Sequence, residues 1–536
     1  MRSIVARNKY FLILILIFII SEIIVNPIGE FPLNDDWSYC KSVLFTLDGN
    51  FTIGGFGAMT LFTHLMWGSL FAKIFGFSFT VLRFSTFVSV IISMFFMNKL
   101  IVKISNNPLL GFLACLVLLF NPLYFNLTNT YMTDVNFNTL LVLCSFCAYS
   151  FFQSKKIIYV ILLILFSIAL VLIRQFGIIV PVCFLMACLF LKENKIKYLV
   201  FALIGVAVVM FAFKFYENYL QKTLSPGSSY KFSGGIKPLT GDFWIMFFEN
   251  LAARYRIVLL HILIYTMPLA IMYLNKIGAN FKKMQLLFIS AICFYGAFLL
   301  FKEERFPFHN VFVNISVGAE TFHETLTAHV PHTFSNVFAR IFSYVKWIFP
   351  AITLLAIILY IVSGIKQKQP IFKLKPEILF LAGLMILYTF MILITESYFD
   401  RYHIPLISIS LILFAFVNKH YDFNFRWAII PLLCFFYVSV FGTKDYLTLN
   451  RTRWEAFNYI KNKENTTAEK INGGFEVNCW NDAKNLWWYN YADLSSFDYL
   501  IQFKKEEGFK LLKAYEFQRY LPYKKDTVNL FIRENK

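Results

Sequence analysis

Apolar runs close to the length of about 20 residues that a helix needs to cross a bilayer recur along most of this chain. They lie near 10–28, 80–103, 108–126, 135–153, 157–173, 176–191, 197–215, 252–275, 284–301, 341–364, 378–395, 404–418 and 427–442. With loops marked by charge and by Pro and Gly, this predicts a polytopic α-helical membrane protein of about thirteen spans. Composition agrees: of 536 residues, 58% are hydrophobic and 15% charged, where a soluble domain carries about 25% charged residues. The 65 Phe and 29 Tyr suit lipid-facing helices and interfacial belts.

The net charge of +19 could suggest nucleic acid as a partner. The Lys and Arg sit instead in short clusters between apolar runs, the pattern of cytoplasmic loops and anionic headgroups, so membrane lipids are the expected partner and nucleic acid is not. Arg2, Arg7 and Lys9 precede the first run and no small-residue cleavage site follows, which predicts an uncleaved first span with a cytoplasmic N-terminus. Every second loop then holds basic residues: Lys99 and Lys103, Lys155 and Lys156, Lys192 to Lys197, Lys276 to Lys283, Lys366 to Lys375, and Lys419 to Arg426. That register is coherent under the positive-inside rule and places the C-terminus outside. The absence of retention signals and the Lys-, Asn- and Phe-rich composition favour a bacterial inner membrane.

Three outer loops are long: 29–79, 216–251 and 302–340. The first carries an acidic stretch, then an amphipathic segment Met59 to Phe75 suited to lie on the membrane surface. The second holds Ser225-Pro226-Gly227 and Gly234-Gly235, and the third holds His309, His323, His329 and His332, whose spacing fits no compact zinc pattern. No internal repeat is visible. The membrane part spans 1–442, and 443–536 reads as a small outer α/β domain with a helix at Arg453–Lys461, a turn between strands at Ile471–Phe475 and a final strand at Thr527–Arg533. Of nine Cys, only Cys40 and Cys479 fall in loops, leaving one pair that could form a disulfide; Cys144-x-x-Cys147 lies in an apolar run and reads as packing.

Charge at one face of the membrane singles out candidate chemistry. Asp35 and Asp36 sit just past the first span with Trp37 and Tyr39 beside them, Asp134 opens the fourth span, and Asp400 precedes Arg401, Tyr402 and His403. Carboxylates at a bilayer default to a functional hypothesis, although solvated loop acids would look the same. If they share a cavity they can take a proton from a hydroxyl or hold a hard cation. Arg83, Arg174 and Arg401 share the face and could grip a lipid phosphate with two hydrogen bonds each, or simply snorkel to the interface.

Asn34-Asp35-Asp36-Trp37-Ser38-Tyr39 followed by Leu47-Asp48-Gly49-Asn50 resembles the first-loop pattern of GT-C membrane glycosyltransferases, nearest to the protein O-mannosyltransferase and lipid A aminoarabinose transferase group. Asn121-Pro122 through Thr133-Asp134 resembles that group's third-to-fourth-span segment, and Arg401-Tyr402-His403-Ile404-Pro405 its Arg-Tyr-x-x-Pro motif. Two positions depart from it: Asp36 stands where relatives often have Glu, and Thr63-His64-Leu65 replaces a His-Pro-Pro-like element. The resemblance implies a GT-C-like fold and transfer of a sugar, with inversion, from a polyprenyl-phosphate donor to a glycan, lipid or protein acceptor at the outer face. It implies Asp35 as general base, with Asp36 and Asp134 as helpers. Asp35 and Asp134 could hold a divalent metal ion (Mg, Mn or Zn), though no cofactor is required by the pattern. Arg174, Arg401 and Arg83 would bind the donor phosphate, and Trp37, Tyr39 and Tyr402 the substrate. The competing classes are a transporter or flippase of lipid-linked sugars and a non-catalytic assembly subunit. Spans nearly free of charge argue against a pathway across the bilayer.

Overall fold

The computed structural model describes residues 2–51, 53, 59–223, 241–304, 306–307, 310–312, 317–319, 336–367, 375–395, 398–417, 422–463, 466–481 and 494–534. The histidines of the third outer loop and the Ser225–Gly235 stretch lie outside them.

Helices form where the apolar runs predict them. Through the first half they are α1 (Arg2–Val25), α4 (Phe79–Ser105), α5 (Pro108–Leu119), α6 (Pro122–Thr128), α7 (Thr133–Ser154), α8 (Ile157–Val171), α9 (Ile179–Cys188) and α10 (Lys195–Thr223). Then come α11 (Gly241–Ala270), α12 (Leu274–Gly278), α13 (Lys283–Phe301), α14 (Asn336–Lys366), α15 (Pro376–Leu393), α16 (Ile404–Val417) and α17 (Arg426–Lys463). Between α1 and α4, the long first loop folds α2 (Asp36–Leu47) and α3 (Phe62–Phe75). Among the described residues eight helices are long and apolar enough to cross a membrane, or nine if α5 and α6 make one broken span. The chain is an integral membrane protein.

Two expected spans change shape. The run at 108–126 bends by 74° between α5 and α6. Pro122 cannot continue the ladder, and the Asn121 side chain caps the new helix by accepting from the amides of Leu123 at 2.9 Å and Tyr124 at 3.3 Å. The run at 176–191 starts as a 3₁₀ turn, Gln175–Ile178, before α9. There a Cβ on Gly177 would sit 2.6 Å from the Val171 backbone nitrogen, so only glycine allows the chain to fold back this tightly.

The bundle sorts its helices by polarity. In α7 94% of the most apolar window is buried, in α13 only 17%. Helix α7 carries Asp134, Asn136, Asn138, Thr139, Ser145 and Ser150, all buried, and polar side chains in a membrane helix belong inside the bundle. It packs against α4, α8, α15 and α16. Helix α13 turns Met284, Phe288 and Tyr295 outward, where lipid covers them.

Helix α17 runs unbroken through residue 443 to Lys463, so the polar C-terminal part hangs from the end of a membrane helix. It continues as β1 (Ile471–Asn472), α18 (Phe475–Asn481), β2 (Tyr499–Gln502), β3 (Phe509–Tyr520) and β4 (Tyr523–Arg533). The sheet order is β1-β2-β4-β3, with β1 and β2 parallel and the rest antiparallel. The turn expected between two strands at Ile471–Phe475 instead leads from a strand into a helix. Buried charge ties α17 to the end of β3 and to α18. Asp445 accepts from the amides of Tyr520 and Leu521, both at 2.8 Å, and Arg453 pairs with Glu476 at 2.9 Å. All nine cysteines are free thiols, Cys40 and Cys479 included, both buried.

Candidate active site

Four chain segments meet at one end of the bundle, and each delivers a charge. Asp35 comes from the turn before α2, Asp134 from the first turn of α7, Arg174 from the break after α8, and Arg401 from the 3₁₀ turn Asp400–His403 before α16. Because α7 and α8 are antiparallel neighbours, the start of one and the end of the other lie together.

The turn holding Asp35 is over-determined. Asn34 takes a left-handed conformation, φ 57°, which Asn tolerates better than most residues. Its amide donates to Glu476 of α18 at 3.2 Å. Asp36 turns inward and accepts from the amides of Leu33 at 2.6 Å and Tyr131 at 3.2 Å. Arg83 reaches up from α4 to donate to the carbonyls of Pro27 and Gly29, each at 2.9 Å, and of Phe31, with Phe31 stacked on its guanidinium. The resemblance makes Asp36 a helper of the catalytic base and Arg83 a ligand of the donor phosphate; in the structure their hydrogen bonds go to the backbone of this loop and its neighbour. Burial pushes the Asp36 carboxyl up to about 7, against the pull of Arg83 and the two amides.

What remains facing the site are two ion pairs. Arg401 Nη2 lies 3.0 Å from Asp35 Oδ2, and Arg174 Nη2 lies 2.8 Å from Asp134 Oδ1. Arg174 also donates to Thr133 Oγ1 from Nε at 3.0 Å and Nη2 at 2.6 Å. Tyr402 lies near both guanidinium groups, 5.5 Å from Arg174 and 5.9 Å from Arg401. Burial alone would lower the pKa of Arg401, but Asp35 and then Asp134 hold it above its ordinary value. Its Nε and Nη1 are buried and have no partner among the described residues, and neither Asp134 oxygen accepts a well-aligned hydrogen bond. A buried guanidinium with two unspent nitrogens has the chemistry to receive an anion.

Tyr39 is buried and feels both acids and both arginines, with its ring edge-on to His64 at 5.7 Å. Trp37 points elsewhere: it packs edge-on against Phe475 of α18 at 6.1 Å, with Lys41 beside it, and so fastens α2 to the C-terminal part. Asp400 also stands outside the cluster. Its carboxylate accepts from the amides of Val311, Phe312 and Arg401 at 2.8–3.1 Å, and burial pushes it up to about 7.

His64, Tyr131 and Thr133 are neighbours to which the motifs assign no role. Tyr131 stacks on His64 at 4.1 Å and donates its hydroxyl to the His64 carbonyl at 2.6 Å. Burial lowers His64 to about 3, so its neutral Nδ1 accepts from Asn136 at 2.8 Å. A Cβ on Gly68 would collide with the Tyr131 hydroxyl at 2.0 Å, so this glycine lets α3 close over the ring.

The donor set is a poor one for a divalent cation. Hard cations take about six or more oxygen ligands. Here each of the two carboxylates already faces a guanidinium, and no group of three or more His, Cys, Asp or Glu among the described residues could hold a metal ion.

No family model matches the chain, and no curated protein does. Among solved structures, ArnT from Cupriavidus metallidurans bound to undecaprenyl phosphate is similar at 11% identity and a TM-score of 0.43, with 97% of this chain and 98% of that one covered. Its apo state gives 11% and 0.42, covering 89% and 84%. An oligosaccharyltransferase from Archaeoglobus fulgidus tethered with an acceptor peptide gives 11% and 0.41, covering 86% of this chain and 59% of that one. Likeness at this level is weak, and the function has to be read from the site itself.

Proposed function

We propose that this protein is a membrane glycosyltransferase that moves a sugar, with inversion, from a polyprenyl-phosphate donor to an acceptor hydroxyl at the outer face of the membrane. The observation that carries this reading is Arg401: buried, tied to Asp35 by one nitrogen, with its other two unspent. A lipid-linked donor stays in the bilayer, so its phosphate must be met at the ends of membrane helices, where these four charges converge.

In this mechanism the donor phosphate takes the free N–H groups of Arg401, with Arg174 beside it. Transfer passes through an oxocarbenium-like state in which the bond from the anomeric carbon to the phosphate oxygen breaks. The guanidinium groups neutralise the charge that builds on the leaving phosphate. As the phosphate draws Arg401 away, Asp35 loses its counter-charge and becomes a stronger base. It accepts the proton of the acceptor hydroxyl, whose oxygen attacks from the opposite face of the sugar. Asp134 fixes Arg174 and adds to the field that keeps Arg401 charged. No step passes through a metal ion. The N-terminus would be cytoplasmic, the C-terminal part outside, and the host membrane a bacterial inner membrane.

Native mass spectrometry of the purified protein with a polyprenyl phosphate tests the central contact. The wild type should retain the lipid and Arg401→Ala should lose it. Equal retention by both would contradict the assignment of Arg401 as the phosphate ligand.

A further inference from the structure

The C-terminal part carries a cleft that none of this chemistry uses. It has a volume of 740 Å³ and lies between the first outer loop at 29–31, the last four turns of α17 and strand β3. Its size falls within the roughly 300–1,000 Å³ typical of ligand sites. The helix supplies Trp454, Asn458, Tyr459 and Asn462 at three- and four-residue spacing, hence from one face. Strand β3 supplies Lys513 and Tyr515, which alternation places on the same side of the sheet.

Two of the aromatic residues hold polar atoms that the fold leaves unused. Trp454 is 7% exposed and Tyr515 6%, and both line the cleft. The Trp454 indole N–H and the Tyr515 hydroxyl are buried without a hydrogen-bond partner among the described residues. Buried indole and phenol groups usually find partners, and leaving one unmet costs about 1–3 kcal/mol. Lys513 Nζ lies over both Tyr459, at 4.4 Å, and Tyr515, at 4.5 Å, so a donor stands against the ring faces.

We infer that this cleft binds a sugar chain, with the half-buried Tyr459 ring beside it and the Trp454 indole N–H, the Tyr515 hydroxyl and the Asn458, Asn462 and Lys513 side chains on its hydroxyls. A sugar chain presents many hydroxyls that both donate and accept, which matches an unpartnered indole N–H and phenol hydroxyl set among amides and an ammonium. A peptide held by backbone pairing would need the open edge of β3 instead. The cleft connects to the reacting centre through the chain itself. Phe31 lines its floor and Asp35 follows four residues later, a reach of at most about 14 Å. The bound chain is therefore placed to be the acceptor. That identity rests on the proposed transfer, whereas the binding does not.

The test is equilibrium binding with no donor present. Full-length protein in detergent is applied to an array of defined neutral and acidic tri- to hexasaccharides, and binders are titrated by calorimetry. At least one should bind, and Tyr459→Ala and Lys513→Ala, both at solvent-exposed or half-buried positions, should each weaken it by about tenfold, the loss of one good contact. Asp35→Asn should bind as the wild type does, which separates this site from the catalytic reading. Absence of any binder, binding unchanged in both variants, or displacement by peptides that add to the β3 edge would each overturn the assignment.

Discussion

Replacing Arg401 by Lys keeps the charge and removes the fork. Arg401 gives Nη2 to Asp35 and holds Nε and Nη1 in reserve. Nη2 carries two hydrogens, so Arg401 can keep one on Asp35 and present the other, alongside Nε–H or Nη1–H, as a pair to a phosphate; a lysine has one nitrogen and cannot do both in a planar fork. Each charge-assisted hydrogen bond is worth about 1.5–3 kcal/mol, so losing two in the transition state raises the barrier by about 3–6 kcal/mol. At 1.36 kcal/mol per factor of ten, kcat should fall roughly 10²- to 10⁴-fold. The phosphate gains charge as the sugar leaves, so the loss belongs in kcat more than in KM. The assay is release of polyprenyl phosphate from a labelled donor in proteoliposomes, with a thermal melt to show that the variant is folded. A folded Arg401→Lys protein within about threefold of wild-type kcat, or one impaired only in KM, would refute this role for the fork.

Arg83→Met should lower stability by about 3 kcal/mol or more, because the carbonyls of Pro27, Gly29 and Phe31 lose a charged donor together. The melt should move while donor KM of the folded fraction does not. Stability should also depend on pH through Asp36. Burial raises its folded pKa to about 7 from the ordinary 3.8, so between those values the folded state holds a proton that the unfolded state lacks. Stability should therefore fall as pH rises through that window and level off above it, with Asp400 adding the same sign. Melts across pH 4–8 should show this slope, reduced in Asp36→Asn. Chelation by EDTA should leave turnover unchanged, since Asp35 and Asp134 are matched to guanidinium groups; loss of activity restored by Mg or Mn would show otherwise.

Much of the bundle was legible in the sequence because a membrane helix satisfies its own backbone and needs only an apolar run to announce it. The break at Asn121–Pro122 was also written locally, as a cap and then a proline, but a count of apolar residues does not see it. At the site, Asp35, Asp134, Arg174, Arg401, Tyr39 and Tyr402 come together from distant segments. Asp36, Arg83 and Trp37 carry the same residue types at the same face, and only tertiary placement shows that Asp36 and Arg83 bond loop backbone and Trp37 packs on Phe475. Asp36 is joined to Asp35 by a single peptide bond, yet α2 begins between them and sends their side chains apart. Glu476 was beyond reach altogether. Its grip on Asn34 joins residues 442 positions apart, and nothing local marks a buried glutamate as the partner of a loop so far away. The His64–Tyr131 stack is similar, since its signal was a departure from a familiar motif rather than a motif.

Asp35 as the base of a glycosyl transfer is tested most directly by turnover of radiolabelled polyprenyl-phosphate sugars in proteoliposomes, wild type against Asp35→Asn. The wild type should release polyprenyl phosphate and move label into acceptor or free sugar, while a folded Asp35→Asn protein should do neither. Equal release by both, or label that merely crosses the bilayer on an intact donor, would contradict that role.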